Sequence, residues 1–222
     1  KKENKLLTNS FEVYEMCNTF LTSFFCTAAA VLILPFVRIY TDGVTDAEYI
    51  RPSFAYLLIA AQWFYCIRIP YNNVINSAGH YGQTKPGAYM EAALNFFISL
   101  LTVHKFGLAG VAFGTMTAML ARTVYMAWYL SKNILKRNFR VFIRNSGIHI
   151  AVSVIIVFVM YQCYEVPSDS FMNWGINAAF VSIITIVCFA ALSFILNRKT
   201  YISLFKEIKI RRNHHGRRKQ RV

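Results

Sequence analysis

The chain has 222 residues, of which 56% are apolar and 15% charged, whereas a soluble domain of this size carries about 25% charged residues. The charges are badly mixed, with long stretches that carry none and many in the loops and the tail, which argues against a soluble globular domain and for a polytopic membrane protein. The net charge of +14 does not call for nucleic acid, because five Lys/Arg in 132–144 and ten in 198–221 sit beside apolar segments, where basic residues fix membrane orientation.

Six apolar stretches are long enough to cross about 30 Å of hydrocarbon at 1.5 Å per residue. In chain order they are 14–40, 55–79, 87–104, 108–131, 145–163 and 171–196. The expectation is an all-α polytopic membrane protein of six transmembrane helices over 1–196, followed by a basic cytoplasmic tail over 197–222. The connections sort by charge. The first loop holds Asp42, Asp46, Glu48 and Arg51, and the fifth holds Glu165 and Asp169. The second carries Lys85, and the fourth carries Lys132, Lys136, Arg137, Arg140 and Arg144. This alternation predicts that both termini are cytoplasmic. In the tail, Tyr201, Leu204, Phe205 and Ile208 share one side of a possible surface helix. The first residue is Lys1 rather than Met, and the chain is expected to be a piece of a longer protein.

The second segment carries Tyr65, Arg68, Asn72 and Asn76 at three- and four-residue steps, one side of a helix. Pro70 has no amide hydrogen to bond residue 66, so it is expected to bend or break the helix beside Arg68. A carbonyl freed at that depth must face protein or a wet cavity. The stripe therefore reads either as a cavity wall or as side-chain glue between helices. The third segment repeats the pattern with Glu91, Asn95 and Ser99. The short loop between the two makes them antiparallel neighbours, so Arg68 and Glu91 are expected to approach, with Asn72 or Asn76 between them. Glu91 is expected to be the only buried acid.

The fourth segment places Gly110, Gly114, Ala118 and Arg122 at four-residue steps. Small residues at that spacing let helix backbones come close, while Arg122 lies too deep to reach the interface and must face protein or water. His149, in the fifth segment, has no acid placed beside it by sequence, so a proton-relay role has little support. The five cysteines are scattered without ligand or disulfide spacing. No nucleophile–base pair, metal site or phosphate-binding loop is present, so neither enzyme activity nor a cofactor is expected.

The run 51–137 resembles the C-terminal half of bacterial polysaccharide and oligosaccharide flippases of the multidrug/oligosaccharidyl-lipid/polysaccharide exporter superfamily. The matching phrases are Ile69-Pro70-Tyr71-Asn72-Asn73, Asn76-Ser77-Ala78-Gly79-His80, and Glu91-Ala92-Ala93-Leu94-Asn95. They continue as Lys105-Phe106-Gly107-Leu108-Ala109-Gly110-Val111-Ala112-Phe113-Gly114-Thr115, Arg122-Thr123 and Tyr129-Leu130-Ser131-Lys132. The resemblance implies half of a two-lobe transporter in the bacterial plasma membrane, the N-terminal lobe being absent from this chain. It implies a polyprenyl-pyrophosphate-linked oligosaccharide as substrate, met by Arg68, Asn72, Asn76, Glu91, Asn95 and Arg122, with membrane lipid as the other partner. A cation-coupled drug or metabolite exporter of the same superfamily, in which acids would dominate the cavity, is one alternative. A non-transporting membrane scaffold for polysaccharide-assembly enzymes is the other.

Overall fold

A computed structural model describes residues 2–164 and 170–198. Among them are six helices and no strand: α1 (Lys2–Tyr40), α2 (Pro52–Ser77), α3 (Lys85–Phe106), α4 (Leu108–Asn133), α5 (Arg140–Cys163) and α6 (Phe171–Leu196). Each holds all or nearly all of one of the six apolar stretches. Glu165, Asp169 and the tail from residue 199, with its expected surface helix, lie outside the described residues.

Three helices, α1, α5 and α6, are long and apolar enough to cross a membrane. The other three have 26, 22 and 26 residues and so also exceed the length of about 20 residues that a span requires. They are less apolar because they carry the arginines, the glutamate and the asparagines singled out above. The largest differences from the expected boundaries are at two N-terminal ends. The first helix starts at Lys2 rather than residue 14, and the fifth at Arg140 rather than 145. Polar residues such as Glu12, Glu15 and Arg144 depress hydropathy at those ends without opposing helix formation. At 39 residues, α1 is about 58 Å long at the standard rise, roughly twice the hydrocarbon thickness.

The helices form two packed groups. α1 contacts α2, α5 and α6, while α4 contacts α2 and α3. One core joins Phe11 of α1, Trp63, Ile67, Tyr71 and Ile75 of α2, Met126 and Leu130 of α4, and Phe142 of α5. The second joins Ala28 and Leu32 of α1, Ile156 and Met160 of α5, and Val181 and Phe189 of α6. Many large apolar side chains outside these cores are exposed, among them Phe96, Leu101, Val154, Phe158 and Ile195. An outer surface of that kind suits lipid rather than water.

Pro70 does not break α2, which runs unbroken from Pro52 to Ser77. The carbonyl of Cys66, which residue 70 cannot bond, accepts instead from Asn18 Nδ2 of α1 at 2.9 Å. Two residues earlier, the carbonyl of Phe64 accepts from Thr123 Oγ1 of α4 at 2.8 Å. Side chains of neighbouring helices thus supply the donors around the proline.

Candidate functional site

α3 and α4 form a hairpin closed by one residue, Gly107, whose φ of +56° is left-handed and favours glycine. The two helices then lie in near backbone contact. A Cβ on Gly110 would sit 2.5 Å from the carbonyl oxygen of Thr102, and one on Gly114 would sit 2.2 Å from Ser99 Oγ and 2.8 Å from Ser99 N. Polar side chains stitch the contact. Thr102 Oγ1 donates to the Gly110 carbonyl at 2.8 Å, and Ser99 Oγ (3.2 Å) and Thr115 Oγ1 (3.3 Å) both donate to Asn95 Oδ1. The glycine spacing thus works structurally, as expected, and Asn95 and Ser99 act as glue between helices.

This close approach, together with α2 packed against α4, brings three charged side chains together. Arg68 Nη1 donates to Glu91 Oε1 at 2.9 Å, and Arg122 Nη1 donates to Glu91 Oε2 at 2.8 Å. Each carboxylate oxygen therefore serves one guanidinium, and the trio retains one net positive charge. The side chains are 10%, 19% and 19% exposed for Arg68, Glu91 and Arg122, so the group is shielded but not sealed. Neither arginine uses its two-nitrogen fork on the carboxylate. Among the described residues, the hydrogen-bond contact of Arg68 Nη2 is Met119 Sδ at 3.9 Å, and the buried Arg122 Nε has no hydrogen-bond partner. The Tyr65 ring lies 5.2 Å from the Arg68 guanidinium carbon.

Of the six residues singled out from sequence, the structure joins Arg68, Glu91 and Arg122. The Arg68–Glu91 approach is as expected but direct, with no asparagine between the partners. Asn72 is half-buried and Asn76 exposed, and neither side chain makes a hydrogen bond among the described residues. The meeting of Arg122 with Glu91 was not anticipated, since no short loop links α2 to α4.

A second charged cluster went unread. Arg137, in the loop between α4 and α5, donates from Nη1 to Glu15 Oε2 at 2.6 Å and from Nη2 to Glu15 Oε1 at 2.7 Å. The Tyr71 hydroxyl also donates to Glu15, and the Phe11 ring lies 4.8 Å from the Arg137 guanidinium. Burial works against the charge on Arg137, but its hydrogen bonds to Glu15 and that residue's charge outweigh it and raise its pKa. With Glu15 and Arg137 at 12% and 10% exposure, Glu91 is not the only buried acid. A glutamate inside an otherwise helix-forming run at 11–17 was the available signal.

His149 is buried, hydrogen-bonded through Nδ1 to Ser23 Oγ at 3.0 Å and stacked on Phe189. Ser23 also accepts from Trp63 Nε1 at 3.3 Å. No acid takes part, so nothing here supports a relay. A separate groove of about 520 Å³ opens between α1, α2 and α5, lined almost wholly by apolar side chains such as Leu34, Ile59, Trp63 and Val157. None of the six candidate residues lines it. Among the described residues, no cluster of His, Cys, Asp or Glu could hold a metal.

No known protein family, curated protein or solved structure matches this chain.

Proposed function

We propose that this chain is a six-span part of a bacterial flippase for lipid-linked oligosaccharides, with both termini in the cytoplasm. In this reading it carries polyprenyl-pyrophosphate-linked sugars across the plasma membrane together with an N-terminal lobe. The carrying observation is the Arg68–Glu91–Arg122 trio, a net cation held by three helices within an apolar bundle. A charge at membrane depth costs about 2.5–3.5 kcal/mol by insertion scales and persists mostly where it faces protein or a wet pathway. A pyrophosphate entering hydrocarbon needs such an offset. One unit charge at about 4 Å contributes roughly 4 kcal/mol at an effective dielectric of 20, comparable to the insertion cost. Two arginines against one acid also fit an anionic cargo better than the cationic cargo of a drug or metabolite exporter.

A specific observation favours a second reading, a non-transporting scaffold for polysaccharide-assembly enzymes. Both arginines are closed on Glu91 in helix contacts, and the large groove is apolar and lies apart from them.

Deleting the gene in its native host separates the readings. The flippase reading expects loss of surface polysaccharide and accumulation of lipid-linked oligosaccharide on the cytoplasmic leaflet. Normal leaflet distribution with mislocalised assembly enzymes would favour the scaffold. Altered sensitivity to cationic drugs with normal polysaccharide would favour the exporter.

A further inference from the structure

Each oxygen of Glu91 meets a different guanidinium. The carboxylate bridges Arg68 Nη1 and Arg122 Nη1 at 2.9 and 2.8 Å, the spacing of charge-assisted hydrogen bonds that arginine makes to carboxylate and phosphate alike. The pairing is nonetheless incomplete. A guanidinium has five N–H donors in a fork suited to bidentate recognition, yet each arginine gives the carboxylate one nitrogen. Arg68 Nη2 is left facing a thioether, and Arg122 Nε is buried without a partner. The Arg137–Glu15 pair in the same molecule differs in using both Nη1 and Nη2 on one carboxylate, although its Nε, like that of Arg122, is buried without a partner among the described residues. Glu91 is reached from two helices, by Arg68 of α2 and Arg122 of α4, and its side chain remains 19% exposed.

We infer that Glu91 is a built-in stand-in for the anionic ligand, occupying both arginines in the unloaded state and yielding them to a diphosphate that displaces it. This inference rests on the anion-site reading above and adds a role for Glu91 opposite to that of a ligand contact. A diphosphate offers more oxygens and more charge than one carboxylate, so it can fill the donors that Glu91 leaves idle. Until it arrives, the carboxylate spares the bundle two uncompensated cations and keeps weaker anions out.

The test is diphosphate binding by the whole chain in neutral-lipid nanodiscs. Wild type is compared with Glu91→Gln, and the double variant Arg68→Gln/Arg122→Gln measures the background from the basic loops and tail. Two probes are used, inorganic pyrophosphate in solution and geranylgeranyl diphosphate in the bilayer. Glu91→Gln is expected to tighten binding of both by about tenfold or more, the scale of one charge-assisted hydrogen bond regained. Binding should fall to background in the double variant. If Glu91→Gln does not fold, Glu91→Asp, one methylene shorter and unable to span both arginines, should give a smaller gain in the same direction. Equal affinity in wild type and the Glu91 variants, above background, would overturn the stand-in and leave the anion site intact. No binding above background in any variant would overturn the anion site and the stand-in with it. A gain confined to inorganic pyrophosphate would uphold the stand-in but overturn a lipid-linked ligand.

Discussion

Glu15 and Arg137 are 122 positions apart in sequence, yet they form a bidentate ion pair. Lys136, the residue before Arg137, has a φ of 53°, a left-handed conformation that costs a non-glycine residue roughly 1–2 kcal/mol. That turn accompanies the return of Arg137 to the bundle, where the arginine's fork, the Tyr71 hydroxyl and the Phe11 ring close around Glu15. Removing one partner from a buried pair leaves the other uncompensated, which typically costs 3–5 kcal/mol. Arg137→Ala should therefore lower the thermal unfolding midpoint in detergent markedly, and Lys136→Gly should leave it unchanged or raise it. The reversed pair Glu15→Arg/Arg137→Glu should recover part of the loss. A midpoint unmoved by Arg137→Ala would show that the pair contributes nothing net.

Two features of the helices determine where the charged trio can form. The first is the donor supplied by α1 to α2. Asn18→Ala strips the Cys66 carbonyl of the donor that α1 supplies, which should cost about 1–3 kcal/mol for an unsatisfied buried acceptor. Pro70→Ala restores an amide at residue 70 able to bond that carbonyl within the helix. In its presence the Asn18→Ala penalty should shrink, a coupling that a double-mutant cycle measures directly. Additive losses would refute the link. The second feature is the absence of a side chain at Gly114. Gly114→Leu must force α3 and α4 apart, because even a Cβ meets Ser99 at 2.2 Å. Glu91 should then lose Arg122, and the midpoint should drop. Gly147→Ala meets nothing within 4 Å and serves as the control, with no loss expected. These features also show what sequence could reveal. The four-residue glycine step exposed the α3–α4 contact, and Pro70 flagged a carbonyl in need of a donor. That the donor would be Asn18 was hidden, because the pairing depends on how α1 packs rather than on any local pattern.

At the scale of the molecule, hydropathy was enough to place six helices. Local adjacency was enough to pair Arg68 with Glu91, since a short loop joins their helices. The third member, Arg122, joins through α2–α4 packing, which no linear spacing encodes. Glu15 escaped because it lies at the polar edge of its segment, where hydropathy places a boundary and the structure places continuous helix. The charge alternation makes a direct prediction for the intact protein in cells. With single cysteines in a cysteine-free background, a membrane-impermeant label applied from outside should modify position 45 and spare position 138. The reverse pattern would invert the topology.

The measurement closest to the central claim replaces both arginines of the trio in the full-length protein of the native host. If Arg68 and Arg122 offset the charge of a pyrophosphate in transit, the double alanine variant should insert at normal level and yet export no surface polysaccharide, with lipid-linked oligosaccharide accumulating on the cytoplasmic leaflet. The double lysine variant should recover part of the export, since it keeps the charge but lacks the guanidinium fork. Normal export by the double alanine variant, at wild-type protein level, would contradict the account.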